Sequence, residues 1–137
     1  MRKASAVRIV CGGLLLALSA APLRAAQVGV STVSCQAVRL MILNRAPHLL
    51  IIDVRPPESF AQSHIETAVN APYSEIASTP IARGQDIVVY CAESTCPLSL
   101  NAAKTLISRR YQDVHLLDGG FIELRRRPEP APVARFA

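Results

Sequence analysis

A chain of 137 residues with no tryptophan and 4% aromatic side chains has room for one domain with a modest aliphatic core, and not for two. Its formal charge of +5, from 15 basic against 10 acidic residues, would by itself suggest an anionic partner. The placement of the charges argues otherwise: Arg2, Lys3, Arg8 and Arg24 all fall within residues 1–25, which leaves 11 basic against 10 acidic residues in the rest.

Arg2, Lys3 and Arg8 precede an apolar run from Ile9 to Ala21, followed by Pro22-Leu23-Arg24-Ala25-Ala26. This charged, apolar, small-residue order predicts a secretory signal peptide over residues 1–25, cut after Ala25, and a periplasmic or secreted protein. The run is shorter than the roughly 20 apolar residues of a spanning helix, so no stable membrane insertion is expected after cleavage; an uncleaved anchor is the lesser alternative. Cys11 falls in this segment after Arg8-Ile9-Val10, a poor context for lipid attachment. The remaining chain, near neutral and without a basic face interleaved with aromatics, predicts no nucleic-acid partner.

Residues 26–33 read as a linker, and the domain as residues 34–127. Ser34 caps a predicted helix reaching about Asn44, with Val38, Met41 and Ile42 as its buried stripe, and Pro47 breaks it. Leu49 to Val54 is a run of strand length, apolar but for Asp53, as in a parallel sheet covered on both faces. Pro57 starts a short helix through Ala61; Ala68-Val69-Asn70 is a brief strand and Tyr73 to Ala77 a helical turn. Gly84-Gln85 turns into the strand Ile87 to Tyr90. Leu98, Ala102, Leu106 and Ile107 stripe the next helix, whose end Arg109 and Arg110 complement electrostatically, and Val114 to Leu117 is the last core strand. Alternating strands and helices predict an α/β domain with a parallel sheet, whose ligand sits beyond the strand carboxyl ends. Pro128-Glu129-Pro130-Ala131-Pro132 marks residues 128–137 as an extended, disordered tail. Arg125, Arg126, Arg127 and Arg135 face only Glu129 there, and read as a solvated charge run rather than a contact for anionic lipid or a partner.

The chemistry concentrates in Tyr90-Cys91-Ala92-Glu93-Ser94-Thr95-Cys96-Pro97. An apolar strand delivers Cys91 onto a short loop that opens directly into a helix, whose unpaired N–H groups and positive dipole end favour thiolate over thiol. The alternative reading of Cys91, a small buried hydrophobe, fits poorly with the small polar residues that follow it. Main-chain N–H groups of Ala92, Glu93, Ser94, Thr95 and Cys96 would cradle an anion on the sulfur; Pro97 offers none. Cys96 either shapes the loop or serves as a resolving thiol, which requires its alpha carbon within about 7 Å of that of Cys91. Cys35 stands apart beside the first helix and reads as a small buried residue, with a pairing to either loop cysteine left open by the sequence. His48, His64 and His115 are scattered and no close Cys/His ligand pairs occur, so neither a metal site nor a cofactor is predicted.

Leu49-Leu50-Ile51-Ile52-Asp53-Val54-Arg55, Glu58-Ser59-Phe60, His64-Ile65, Asn70-Ala71-Pro72, the Cys91 loop and Leu117-Asp118-Gly119-Gly120-Phe121 resemble, in this order, a single rhodanese domain. The resemblance implies a central parallel five-stranded sheet flanked by helices. It places Cys91 on the cysteine that carries persulfide, and makes a small sulfur donor and a thiophilic acceptor, small molecule or protein thiol, the partners. It matches Asp53 and Arg55 to an Asp-x-Arg that holds loops near the site, with Arg55 the one cation that would also face the pocket. His64 and Asp118 fall on loop-supporting positions, His64 being the lesser choice for a general base. Four departures stand out. No Lys or Arg occupies the loop and Glu93 adds negative charge, which disfavours thiosulfate; Cys96 stands where a basic residue is often found; Ser63 and Thr67 replace glycines; Leu124 replaces a common Trp.

Three functions remain open on these residues. One is sulfur transfer through a Cys91 persulfide; the second is thiol-disulfide redox chemistry of Cys91 with Cys96; the third is a non-catalytic binding module. A phosphatase or arsenate reductase of related fold needs Cys, five residues and then Arg, and position 97 is Pro.

Overall fold

A computed structural model describes residues 30–126. The segment read as a signal peptide, with Cys11 in it, and the Pro-rich tail lie outside the described residues. Among the described residues the elements run β1 (Ser31–Val33), α1 (Cys35–Leu43), β2 (Leu49–Asp53), α2 (Pro57–Gln62), β3 (Val69–Asn70), β4 (Asp86–Tyr90), α3 (Pro97–Ser108), β5 (Val114–Leu117) and α4 (Gly120–Arg125).

The five strands form one sheet in the order β1-β5-β4-β2-β3, and every pairing is parallel. The predicted α/β architecture is therefore present, and β4 lies at its centre, with Ile52 opposite Val89 and Asp53 opposite Tyr90. Side chains alternate along β4 as strand geometry requires. Ile87, Val89 and Cys91 face one apolar layer with Ala102, Ala103 and Leu106 of α3, while Val88 and Tyr90 face a second with Cys35 and Val38 of α1 and Phe121 of α4. Both faces are thus covered, which explains the uninterrupted apolar runs. Complete burial of a side chain such as Ile52, Ile87 or Leu106 contributes about 2 kcal/mol each.

Three boundaries differ from the sequence reading. Ser31–Val33, assigned above to a linker, is the fifth strand: it pairs with β5, Thr32 opposite Leu116. Its Ser31 hydroxyl lies 2.6 Å from His115 Nδ1, which ties β1 to β5, while Asp86 Oδ1 of β4, 3.1 Å from His115 Nε2, has no hydrogen-bond partner among the described residues. Tyr73 to Ala77 forms turns and no helix; Ser78 Oγ and Thr79 Oγ1 both donate to the Glu75 carbonyl, at 3.1 and 2.9 Å, a local alternative to helical pairing. A fourth helix, α4, follows the Gly119-Gly120 turn. Ser34 caps α1 as expected, its Oγ accepting from Ala37 N at 3.2 Å. Arg109 is the C-cap residue of α3, and its Nη1 donates to the Ile76 carbonyl at 2.8 Å and holds the 73–78 turns.

Candidate active site

Cys91 is the first residue past β4, and its side chain, 4% exposed, points into the α3 layer. Five residues on, Cys96 occupies the N-cap position of the 12-residue helix α3, with Pro97 at the first helical position. Pro97 lacks the N–H that would be unpaired there anyway, which suits that position. The two alpha carbons are 6.2 Å apart and the two sulfurs are joined as a disulfide. The loop between them is a tight turn: Cys96 N donates to the Glu93 carbonyl at 3.2 Å, so in this oxidised form one of the five predicted cradle donors is already engaged. Ser99 Oγ donates to the Cys96 carbonyl at 3.2 Å and pins the helix end of the loop. Glu93, Ser94 and Thr95 are exposed, and Ala92 is half-buried.

The strand end of the loop is held from behind by α4. Phe121 N donates to the Cys91 carbonyl at 3.0 Å and Ile122 N to the Ala92 carbonyl at 2.9 Å. This approach requires Gly120: its φ is +64°, and a Cβ there would stand 2.7–2.9 Å from the Glu93 backbone. In the sequence reading the glycine pair figures only as part of the resemblance, and this clamp is missed. The doublet itself, directly after the last strand, was the available signal.

Asp53 and Arg55 sit on the other face of the sheet from the Cys91 side chain. Asp53 is fully buried and accepts from Arg55 N at 2.9 Å, from Nε at 3.0 and 3.1 Å, and from Nη2 at 2.6 Å. Arg55 Nη2 also donates to the Ser63 carbonyl at 2.7 Å, and its guanidinium lies 4.2 Å from the Phe121 ring centroid and 5.7 Å from that of Tyr90. The hydrogen bond to Asp53 holds Arg55 above the ordinary guanidinium range. Burial pushes the Tyr90 phenol well above its ordinary value, while its oxygen accepts from Ile65 N at 3.2 Å. Asn70 Nδ2 donates to the carbonyls of both Asp53 and Arg55 at 3.0 Å. The pair is thus a buried brace that fastens the ends of β2 and β3, the loop around Ser63 and α4. Arg55 Nε and Nη2 are committed to that brace.

His64 is exposed, stacks on Phe60 with centroids 3.9 Å apart, and its Nδ1 lies 2.9 Å from the Phe60 carbonyl. Its partners belong to its own loop. Asp118 acts through its backbone, with its N donating to the Val33 carbonyl at 2.9 Å and its own carbonyl accepting from Cys35 Sγ at 3.1 Å. Cys35 is buried and free, and burial raises its thiol above the ordinary value, the opposite of what a reactive thiol needs. Among the described residues no group of three or more His, Cys, Asp or Glu could hold a metal ion. No helix among them is long and apolar enough to cross a membrane.

This arrangement, one cysteine at the carboxyl end of a central parallel strand and a second at the mouth of the following helix, brings two thiols within bonding reach of each other. A model of the rhodanese-like domain matches residues 36–126. The chain belongs to the rhodanese-like domain family. It is 34% identical over 88 residues to the thiosulfate sulfurtransferase GlpE of Pseudomonas fluorescens, covering 63% of this chain and 78% of that protein. It is 31% identical over 88 residues to the HTH-type transcriptional regulator Rv0324 of Mycobacterium tuberculosis, covering 63% of this chain but only 38% of the regulator. Among solved structures, the human single-domain sulfurtransferase TSTD1 superposes with a TM-score of 0.58 at 23% identity, over 68% of this chain and 93% of that one. The matched stretch thus makes up most of a sulfurtransferase and a minority of a longer regulator.

Proposed function

We propose that the chain is a sulfurtransferase that moves a sulfane sulfur through a persulfide on Cys91. The observation that carries this reading is the position of Cys91, at the end of the central strand of a rhodanese-like sheet and facing the start of α3. With the pair reduced, the Cys91 thiolate attacks the outer sulfur of a donor, the donor's S–S bond breaks, and the remainder leaves with the bonding electrons, as a thiolate from an organic persulfide or as sulfite from thiosulfate. A thiophilic acceptor then attacks the outer sulfur of Cys91–S–S⁻ and restores the Cys91 thiolate. The N-terminus of α3 stabilises negative charge at this point in both steps. Glu93 at the tip, with no Lys or Arg in residues 91–96, favours an organic persulfide over the thiosulfate dianion as donor. The charged, apolar and small-residue order of residues 1–25 supports an exported protein, in a compartment where a disulfide persists.

The test is to incubate the reduced Cys96→Ser chain, in which no neighbouring thiol can displace an added sulfur, with thiosulfate and, separately, with an organic persulfide, then weigh the intact protein and map the modified peptide. One added sulfur on Cys91, absent when Cys91→Ser is introduced as well, is the expected result, with the organic persulfide the faster donor. Failure of both donors to modify Cys91 refutes the proposal. The Cys91–Cys96 disulfide favours a second reading, a redox dithiol that transfers electrons alone. In that case the protein reduces a test disulfide catalytically, and takes up no sulfur.

A further inference from the structure

We infer that Cys96 is a built-in resolving thiol for the Cys91 persulfide, so that the protein discharges its sulfur as hydrosulfide and halts as the Cys91–Cys96 disulfide until an external dithiol reopens it. The inference rests on the persulfide reading and names the discharge and the regulation of that same site.

Both ends of the loop are fixed, and they are fixed in register with one another. The Cys91 and Ala92 carbonyls are held by the amides of Phe121 and Ile122, and the Cys96 carbonyl by Ser99. With the alpha carbons 6.2 Å apart, inside the span a disulfide bridges, the sulfurs meet within this one loop turn. Cys96 is half-buried against the same apolar layer as Cys91, and it stands at the N-terminal end of a 12-residue helix, which favours its thiolate. The partner it reaches is Cys91 Sγ itself, which in the persulfide is the inner sulfur.

The step balances as follows. The Cys96 thiolate attacks the inner sulfur of Cys91–S–SH, a new S–S bond forms between Cys91 and Cys96, and the old one breaks with hydrosulfide as leaving group. The proton that Cys96 loses leaves with the solvent or on the hydrosulfide. The sulfane sulfur is reduced and the two cysteines together lose two electrons. An external dithiol reductant then attacks the disulfide, takes the oxidising equivalents, and returns both cysteines to thiols. Turnover is therefore set by the supply of dithiol as much as by the supply of donor. A donor presented without dithiol yields one hydrosulfide per chain and no more.

The experiment uses the reduced full chain, freed of reductant, and one equivalent of an organic persulfide, with hydrosulfide trapped as a fluorescent adduct over time. Wild type is expected to release about one hydrosulfide per chain and to end with a Cys91–Cys96 linked peptide. Cys96→Ser is expected to hold the added sulfur on Cys91 and to release hydrosulfide at least about tenfold more slowly, because the spent donor thiol at micromolar concentration competes poorly with a thiol held in place. Cys96→Ala serves as a second variant, and far-UV circular dichroism establishes that both fold. Equal release from wild type and both variants, or a wild type that keeps its persulfide and forms no disulfide, overturns the inference while leaving Cys91 as the sulfur carrier. Absence of added sulfur on Cys91 in Cys96→Ser instead removes the persulfide reading beneath it.

Discussion

Gly120→Ala tests whether the close approach of α4 to the cysteine loop is as necessary as its geometry indicates. Two costs apply. Gly120 has φ +64°, and placing an L side chain in the left-handed region costs about 1–2 kcal/mol. A Cβ at this position would also lie 2.7–2.9 Å from three backbone atoms of Glu93, and relieving such an overlap by moving packed backbone costs about 1–3 kcal/mol more. Gly84 isolates the first cost: its φ is +76°, yet a Cβ there meets nothing within 4 Å. The entropy that alanine removes from the unfolded chain is common to both variants and cancels. With that common gain of about 0.4–1 kcal/mol subtracted, Gly84→Ala should lose about 0.5–1 kcal/mol and Gly120→Ala about 1.5–4, a gap of at least about 4 °C in Tm for a domain of this size. Calorimetry of the two variants beside wild type reads the difference. A second readout is the rate at which the reduced Cys91–Cys96 pair closes in a defined disulfide buffer, which should fall in Gly120→Ala and stay at the wild-type value in Gly84→Ala. Equal Tm losses, or unchanged closure in Gly120→Ala, would refute the assignment of the glycine to the clamp.

Asp53→Asn leaves Arg55 buried without its counter-charge and should destabilise by about 3–5 kcal/mol in urea titrations; a loss under 1 kcal/mol means that the brace contributes little. Thr67 has φ +68°, a conformation unfavourable for a β-branched residue, so Thr67→Gly should stabilise by about 0.5–1 kcal/mol after the entropy loss of glycine is subtracted. An unchanged or lower denaturation midpoint contradicts that. The raised pKa values of Cys35 and Tyr90 make the folded state retain protons that the unfolded chain sheds above their ordinary values of 9.0 and 10.0. Stability is then undiminished by these groups below about pH 9 and falls as pH rises beyond it. Urea midpoints from pH 8 to 11 should decline in wild type and decline less steeply in Tyr90→Phe; parallel curves would exclude the tyrosine as a cause.

The parts of the fold that were legible in the sequence are those whose burial is two-sided. Leu49 to Ile52 and Ile87 to Tyr90 read as strands because both faces are covered, so no polar residue interrupts them. Ser31–Val33 was not legible: an edge strand of three residues with two of them exposed carries no apolar run, and what places it is pairing with residues more than 80 positions away. The turns after Pro72 resembled a helix in composition, but the hydroxyls of Ser78 and Thr79 supply competing partners for the backbone. At the site, Cys91 was legible from the strand, loop and helix succession alone. Its bond to Cys96 stood only as an alternative, since a spacing of five residues permits the contact and does not fix it. The Asp53–Arg55 pair was legible, whereas the rings of Tyr90 and Phe121 around it depend on how β4 and α4 are superposed in space.

The sheet order has a consequence for how the chain matures. Synthesis runs from β1 towards α4, so Cys91 and Cys96 emerge before the strand and helix that complete their surroundings. Until β5 has inserted between β1 and β4, its neighbours in the sheet, the Phe121 and Ile122 amides have nothing to hold them against the loop. The two thiols therefore meet the surrounding medium first as an unshaped segment and only later as an organised pair. The last described helix to be made completes the clamp on the loop that joins them.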